Sequence, residues 1–347
     1  MEKIFLDILM PDDWHVHLRE GAMLSSVFPF TYKNFRSALI MPNLDTPITN
    51  ISLAENYYNE ICKQIPKGTE FTPNLTLYLT NHLSKDEIKK VSTHEHIKAI
   101  KMYPKGATTN SDSGISDFKD FYNLFEVMEE SGVILSIHGE VTDEEVDVFK
   151  RESVFIEKVL TKIIKQFPGL KIVLEHITSA DTVKFINEQS MVAATITIHH
   201  LMVNRNIMLS KGIRPDFYCA PILKTEYDRL ALVQAATSGN CKFFLGTDSA
   251  PHVEGKKIAP CGCAGIFSSP LAIPLLIQLF EEHRSLTKIE PFVSRNGRAF
   301  YGLRQHKDRV RYVKRPKSIE VIKDVKTSDG KITVFNPYSE IYWEKEI

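Results

Sequence analysis

Six side chains stand out for the chemistry that their types and positions allow: His15, His17, Lys101, His138, His176 and Asp248. Imidazole and carboxylate groups bind divalent cations of the zinc kind, and catalytic sites of that kind keep one position open for water. Co²⁺ and Mn²⁺ accept the same donors. His15 and His17 are two positions apart, so on an extended strand they share one face. Lysine is the odd member, because an ammonium cannot ligate a cation. Its ordinary pKa is about 10.4, and positive charge nearby lowers it and frees the amine. A neutral lysine amine takes up carbon dioxide to become a carbamate, a carboxylate-like anion able to bridge two metals. Two ions about 3.5–4 Å apart can share one water and lower its pKa toward about 7. Asp248 can bind one of them, take the water's proton and pass it to a leaving nitrogen. The set predicts metal-assisted hydrolysis.

Short apolar runs must position these groups. They fall at 10–17, 37–41, 75–79, 97–102, 133–138, 171–176, 192–198 and 242–248. Continuous β-branched runs of this kind suit strands buried on both faces, as in a parallel sheet. Between them, Asp117 to Ser131 and Glu152 to Phe167 have helical spacing, the second closed by Pro168-Gly169. Eight strands alternating with helices predict an α/β fold, a (β/α)8 TIM barrel. An open doubly wound sheet fits less well, since no glycine-rich phosphate loop follows an early strand. Lys101 ends the fourth run, His138 the fifth, His176 the sixth and Asp248 the last, while His15 and His17 end the first. In a barrel all six converge on the C-terminal face, where active sites of this fold are built. His94 and His96 precede the fourth strand and belong at the opposite end, as surface. His199 and His200 end the seventh strand and are expected to line or support the pocket outside the metal set.

The 347 residues carry 43 Lys+Arg and 43 Asp+Glu, so there is no net field to hold nucleic acid or a membrane surface. A hydrophobic share of 43% and a charged share of 25% describe an ordinary globular composition. Met1 to Asp7 lacks the basic-then-apolar pattern of a secretory signal. The five cysteines (Cys62, Cys219, Cys241, Cys261, Cys263) are too sparse for a disulfide framework, and reduced thiols in the cytoplasm are expected. Cys261 and Cys263 read as a packed loop rather than a zinc pair. Ile258 to Phe280 is uncharged but broken by Pro260, Pro270 and Pro274, so it reads as a loop and a buried helix, not a membrane span. Residues 1–302 are expected to form the barrel, and 303–347 a short C-terminal appendage packed on it. Arg304 to Lys317 holds seven basic residues against one acid and reads as solvated surface.

Several segments carry a resemblance: Asp13-Trp14-His15-Val16-His17-Leu18-Arg19, Met41-Pro42-Asn43, Lys101-Met102-Tyr103-Pro104 and 246–252 (GTDSAPH). With 199–206 (HHLMVNRN) and 261–265 (CGCAG), they resemble the dihydroorotases of the amidohydrolase superfamily, more narrowly the shorter bacterial class. The likeness runs from about Pro11 to Gly302. It implies a zinc-dependent, reversible closure of N-carbamoyl-L-aspartate to L-dihydroorotate and water, in pyrimidine synthesis. It also implies two Zn²⁺ per subunit and a homodimer acting on a small molecule, with no nucleic-acid or membrane partner. By position, His15, His17 and Asp248 bind one zinc, His138 and His176 the other, and Lys101, carboxylated by carbon dioxide, bridges both. Arg19, Asn43 and His252 match positions that hold the substrate carboxylate, and the backbone at Ala220 and Ala264 contacts the ring. His17 and His138 border the substrate as well as the metals. Ala220 stands where the family has a bulkier aliphatic residue.

Residue chemistry agrees for Arg19, whose planar fork suits a bidentate contact with a carboxylate. Residues 106–111 (GATTNS) follow the lysine's strand as a small, hydroxyl-rich loop that can close over substrate. The family's mobile loop has paired threonines here, which implies that Thr108 and Thr109 touch substrate. Two other readings compete. A dihydropyrimidinase or hydantoinase type of cyclic amidase would not need Arg19 and Asn43, since its rings lack the carboxylate. A non-catalytic scaffold would have lost ligands, and here all six positions are filled.

Overall fold

Each of the eight apolar runs forms one strand of a single parallel sheet. The computed structural model describes residues 4–260 and 262–346. A first strand, β1 (Ile4–Leu9), stands apart from the sheet. The sheet itself runs in chain order through β2 (Asp12–Val16), β3 (Ser37–Ile40), β4 (Thr72–Tyr78), β5 (Ile97–Met102), β6 (Ile134–His138), β7 (Ile172–Glu175), β8 (Val192–Ile196) and β9 (Phe243–Leu245). Past β9 the Asp248 amide donates to the His15 carbonyl (2.8 Å), and the His17 amide donates to that of Ser249 (3.1 Å). These bonds join the last strand to the first, giving the (β/α)8 TIM barrel that the alternation predicts.

A main helix follows each strand of the sheet, with shorter helices added after β8 and β9. The eight cover Gly21–Tyr32, Ile51–Cys62, Lys85–Val91, Tyr122–Ser131, 151–166, Ala180–Glu188, Glu226–Thr237 and Ala272–Glu282. Side-chain caps start several of them where the sequence offers a short polar residue. Asn50, Ser84 and Ser179 each accept an amide from the first turn, and Thr225 forms a reciprocal box with Asp228. Ala272–Glu282, the helix expected after the uncharged loop, is buried along nearly its whole length. Among the described residues no helix is long and apolar enough to cross a membrane.

Inside the barrel, one apolar cluster gathers Trp14, Leu39, Ala99, Ile134, Val173, Ala193 and Phe244, each from a different strand, with Tyr301 closing the bottom. Two positions further along several of the same strands the interior residue is polar: Lys101, Ser136, Glu175 and Thr195. The pleat's period of two therefore stacks a polar layer on an apolar floor. Strand β2 breaks the period. Its pairing with β3 shifts between Asp13 and Val16, and Trp14 joins the floor while the adjacent His15 meets Glu175 and Asp248. Such an irregularity re-aims a side chain, here bringing two neighbours inside.

The chain's two ends share a second sheet. β1 pairs antiparallel with β10 (Arg309–Lys314), which also pairs with β13 (Trp343–Lys345); between them lies the hairpin β11 (Asp324–Thr327) and β12 (Gly330–Thr333). Residues 4–9, grouped with the barrel in the division at 302/303, thus pair with the tail. The basic residues of 304–317 lie among acids: Arg309 and Arg311 reach Asp7, Lys314 reaches Glu281 and Arg315 reaches Glu344.

Candidate active site

The six residues expected to meet at the C-terminal face do gather there. Nε2 of His15 lies 3.2 Å from Nε2 of His17, and both approach Asp248 Oδ1, at 3.3 and 3.1 Å. The His176 ring is 5.0 Å from that of His15 and 4.8 Å from that of His138, between centroids. Lys101 lies beneath them with no exposed surface, its Nζ against the Glu175 carboxylate and 4.7 Å from the centre of the Tyr103 ring. Burial holds Lys101 well below the ordinary lysine range, which favours the free amine. Burial also lowers the titration of His15 and His176, and brings His17 to about 3, so these rings are neutral. For Asp248 burial acts in the opposite sense, but the close His15 and His17 rings, through their hydrogen bonds, hold the carboxyl well below its usual range.

This arrangement fits a bound cation. Donor atoms of His15, His17 and Asp248 lie close enough to share an ion, as do those of His15, Glu175 and His176. Two neutral imidazoles facing each other through Nε2 satisfy at most one proton, and buried Nδ1 of His176 has no hydrogen-bond partner among the described residues. Nε2 of His138 is 2.8 Å from Glu140, leaving Nδ1 for the site. His15 Nδ1 lies 3.1 Å from Glu175 Oε2, a carboxylate placed to orient a ligand ring.

The backbone is strained at the same place. Five non-glycine residues have positive φ among those described, and Arg19 (63°), His176 (43°) and Asp248 (44°) are three of them; a fourth, Asn110 (55°), is in the loop after β5. Tyr57 helps to hold Arg19 in this conformation by donating to its carbonyl at 2.6 Å. Gly246 permits the approach of β9: a Cβ there would stand 2.9 Å from that of His15.

Beside the histidines lies a pocket bordered by Arg19, Asn43, Thr108, Thr109, Ala220 and Ala264. His252 borders the neighbouring outer cavity, which Arg19, Asn43 and Thr109 also line. An Arg19 Nη is 3.0 Å from Nε2 of His252, and that nitrogen is 3.1 Å from the Ala264 carbonyl. Burial and the Arg19 charge push His252 down to about 2, so the ring is neutral. Asn43 donates from Nδ2 to the Thr109 carbonyl at 3.0 Å, and Tyr103 donates to Asn43 Oδ1 at 3.1 Å. The loop of 106–111 is therefore latched over the pocket by Asn43. All the residues expected from the sequence are in one region, with Lys101 below and His252 at the rim.

Several participants were not picked out in the sequence. Glu175 is fully buried and touches Lys101, His15 and Ser136. An acid inside the apolar run just before His176 was the signal, since a buried carboxylate requires partners. Asp13 accepts from the amide and hydroxyl of Thr247, at 2.8 and 2.6 Å, tying β2 to the turn that carries Asp248; burial raises it to about 7. Cys219 Sγ is 3.9 Å from Nε2 of His200, which sits on the short helix Ile198–Met202 rather than at a strand end. Cys261 lies outside the described residues, and Cys263 is a free thiol.

The amidohydrolase family model matches residues 9–312. A dihydroorotase of Shewanella sp. (strain ANA-3) is 48% identical over 342 residues, covering 98% of this chain and 99% of that protein. Among solved structures, a dihydroorotase from Campylobacter jejuni superposes with a TM-score of 0.90 at 31% identity, covering 100% and 99% of the two chains. A dihydroorotase from Saccharomyces cerevisiae in complex with 5-fluoroorotic acid gives 0.89 at 34%, covering 99% and 98%. With the barrel, the strand-end histidines and relatives matched along nearly its whole length, this chain belongs to the amidohydrolase family, in its dihydroorotase branch, and is a hydrolase.

Proposed function

We propose that this enzyme interconverts N-carbamoyl-L-aspartate and L-dihydroorotate plus water, the ring-closing step of pyrimidine synthesis, and that it works as a zinc enzyme. The observation that carries the reading is the convergence of His15, His17 and Asp248 on one point beside Arg19. In this reading His15, His17 and Asp248 would hold one zinc ion, His138 and His176 would hold the other, and Lys101, as a carbamate, would supply a further anionic ligand. Charge balance supports it. A carbamate beside the carboxylates of Glu175 and Asp248 would collect three negative charges in a buried site, which two divalent cations offset. When bound, zinc supplies Lewis acidity at the ring carbonyl and lowers the pKa of the attacking water.

The protein's own groups do the rest. Arg19 presents a planar donor pair to the substrate carboxylate, with Asn43 and His252 completing its cradle. The backbone at Ala220 and Ala264 faces the ring, and an alanine at 220 leaves that wall free of a larger side chain. In ring opening Asp248 takes the proton from water and delivers it to the amide nitrogen as the C–N bond breaks; in ring closure it returns the proton. Thr108 and Thr109 close over the pocket and exclude bulk water. By likeness to the family, the same reading makes the protein a cytoplasmic homodimer.

The test is ring opening of L-dihydroorotate by purified, zinc-replete protein, with dihydrouracil as the competing substrate. Turnover of dihydroorotate alone, lost on chelation and restored by zinc, is expected. Turnover of dihydrouracil alone would overturn the substrate. Silence on both with metal bound would leave the scaffold reading.

A further inference from the structure

Lys257 is a buried cation that no part of the reaction uses. It stands in the short helix Glu254–Lys257 beyond β9 and is only 8% exposed. Among the described residues no carboxylate pairs with it. Its Nζ donates instead to three backbone carbonyls, those of Tyr218 (3.1 Å), Cys263 (3.3 Å) and Gly265 (2.5 Å). An ammonium has three donors, and all three are used. Burying such a charge is costly, and the three carbonyl hydrogen bonds offset that cost only while the two segments stay in place around it.

The carbonyls belong to two segments of different origin. Tyr218 follows β8 and leads into Ala220, whereas Cys263 and Gly265 follow β9 and flank Ala264. Ala220 and Ala264 border the pocket from opposite segments. The Tyr218 carbonyl also accepts the Gly265 amide at 3.0 Å, so one oxygen carries both links. On its far side the second segment is pressed against the Ala250–His252 turn: a Cβ on Gly265 would stand 2.4 Å from the Ala250 carbonyl. The Ala264 carbonyl then meets His252, which meets Arg19. Among the described residues Lys257 is the one charged group hydrogen-bonded to both ring-facing segments.

We propose that Lys257 is a positioning residue. It sets the spacing between the backbone at Ala220 and at Ala264, and through it the grip on the cyclic substrate, while the proton transfer at Asp248 is left to other groups. The inference rests on the proposed function, in which those two backbones face the ring. Arginine is a poor replacement, because a planar fork does not converge three donors on three carbonyls around a point.

The experiment compares the holoenzyme with Lys257→Met, which keeps the stem and removes the donors. KM for L-dihydroorotate and the inhibition constant of 5-fluoroorotate, a ring that does not react, are expected to rise together by about tenfold, with kcat within about threefold. A merely structural loss would reduce the active fraction, lowering kcat at unchanged KM and inhibition constant, and that result overturns the proposal. Lys257→Gln, which keeps two donors, is read the same way should the methionine variant fail to fold. An inhibition constant within twofold of the parent's in a folded variant also overturns it. Absence of dihydroorotate turnover in the parent protein would instead overturn the proposed function on which the inference rests.

Discussion

The two ends of this barrel are built on opposite terms. At the bottom, Trp14 stacks on Tyr301 with centroids 4.5 Å apart, and Gly297 makes room for it: a Cβ there would stand 2.0 Å from the indole nitrogen. Buried Asp12 takes two bonds from Arg298, at 2.6 and 2.9 Å, and a third from Ser37 at 2.6 Å. The charge there is paired and its hydrogen bonds are made. At the top, imidazole nitrogens face each other, buried Nδ1 of His176 has no hydrogen-bond partner among the described residues, and three site residues have left-handed backbone. With the charge at one end paired, the barrel can hold the other in a state that bound cations and substrate complete. The comparison separates residues that maintain the fold from residues that spend stability on chemistry.

The sharpest way to break that separation is at the top. Asp248→Asn should lower kcat by about a thousandfold, within the range for loss of a positioned acid–base group, while urea denaturation shows little change. A metal-replete variant with near-normal turnover would remove Asp248 from the proton transfer. The bottom should give the inverse result. Arg298→Met strands Asp12 as an unpaired buried charge and should cost about 3–5 kcal/mol in unfolding free energy, with kcat per folded molecule preserved. Equal losses in rate and stability would show that the two ends are coupled. A smaller effect tests the lid: changing Thr108 and Thr109 both to alanine keeps the Asn43 bond to the Thr109 carbonyl but removes the side chains that border the pocket, and should reduce turnover by about tenfold, equivalent to about 1.4 kcal/mol. Unchanged kinetics would contradict a lid.

Much of the top was legible because its residues lie at the ends of apolar runs, and a strand end is a local property. Lys101, His138, His176 and Asp248 each close a buried run, and eight such runs leave a barrel as the natural closure. Less legible was anything that depends on which strand faces which. Glu175 was passed over because its partners, Lys101 and His15, are far away in sequence. The Asp12–Arg298 pair joins residues 286 positions apart, and no local pattern announces it. Strand β1 was missed for the same reason: its half-exposed sequence earns its place only by pairing with β10.

The sequence by itself determined the alternation of strand and helix, the set of cation-binding side chains and the end of the barrel where they belong, since hydrophobic period and residue type are local quantities. Only the tertiary structure decided how those side chains meet. The shift in β2 turns both Trp14 and His15 inward, Gly246 lets β9 close on β2, and Lys257 gathers carbonyls from two loops. Each of these is a contact between distant segments, and its energy exists only once the chain has folded.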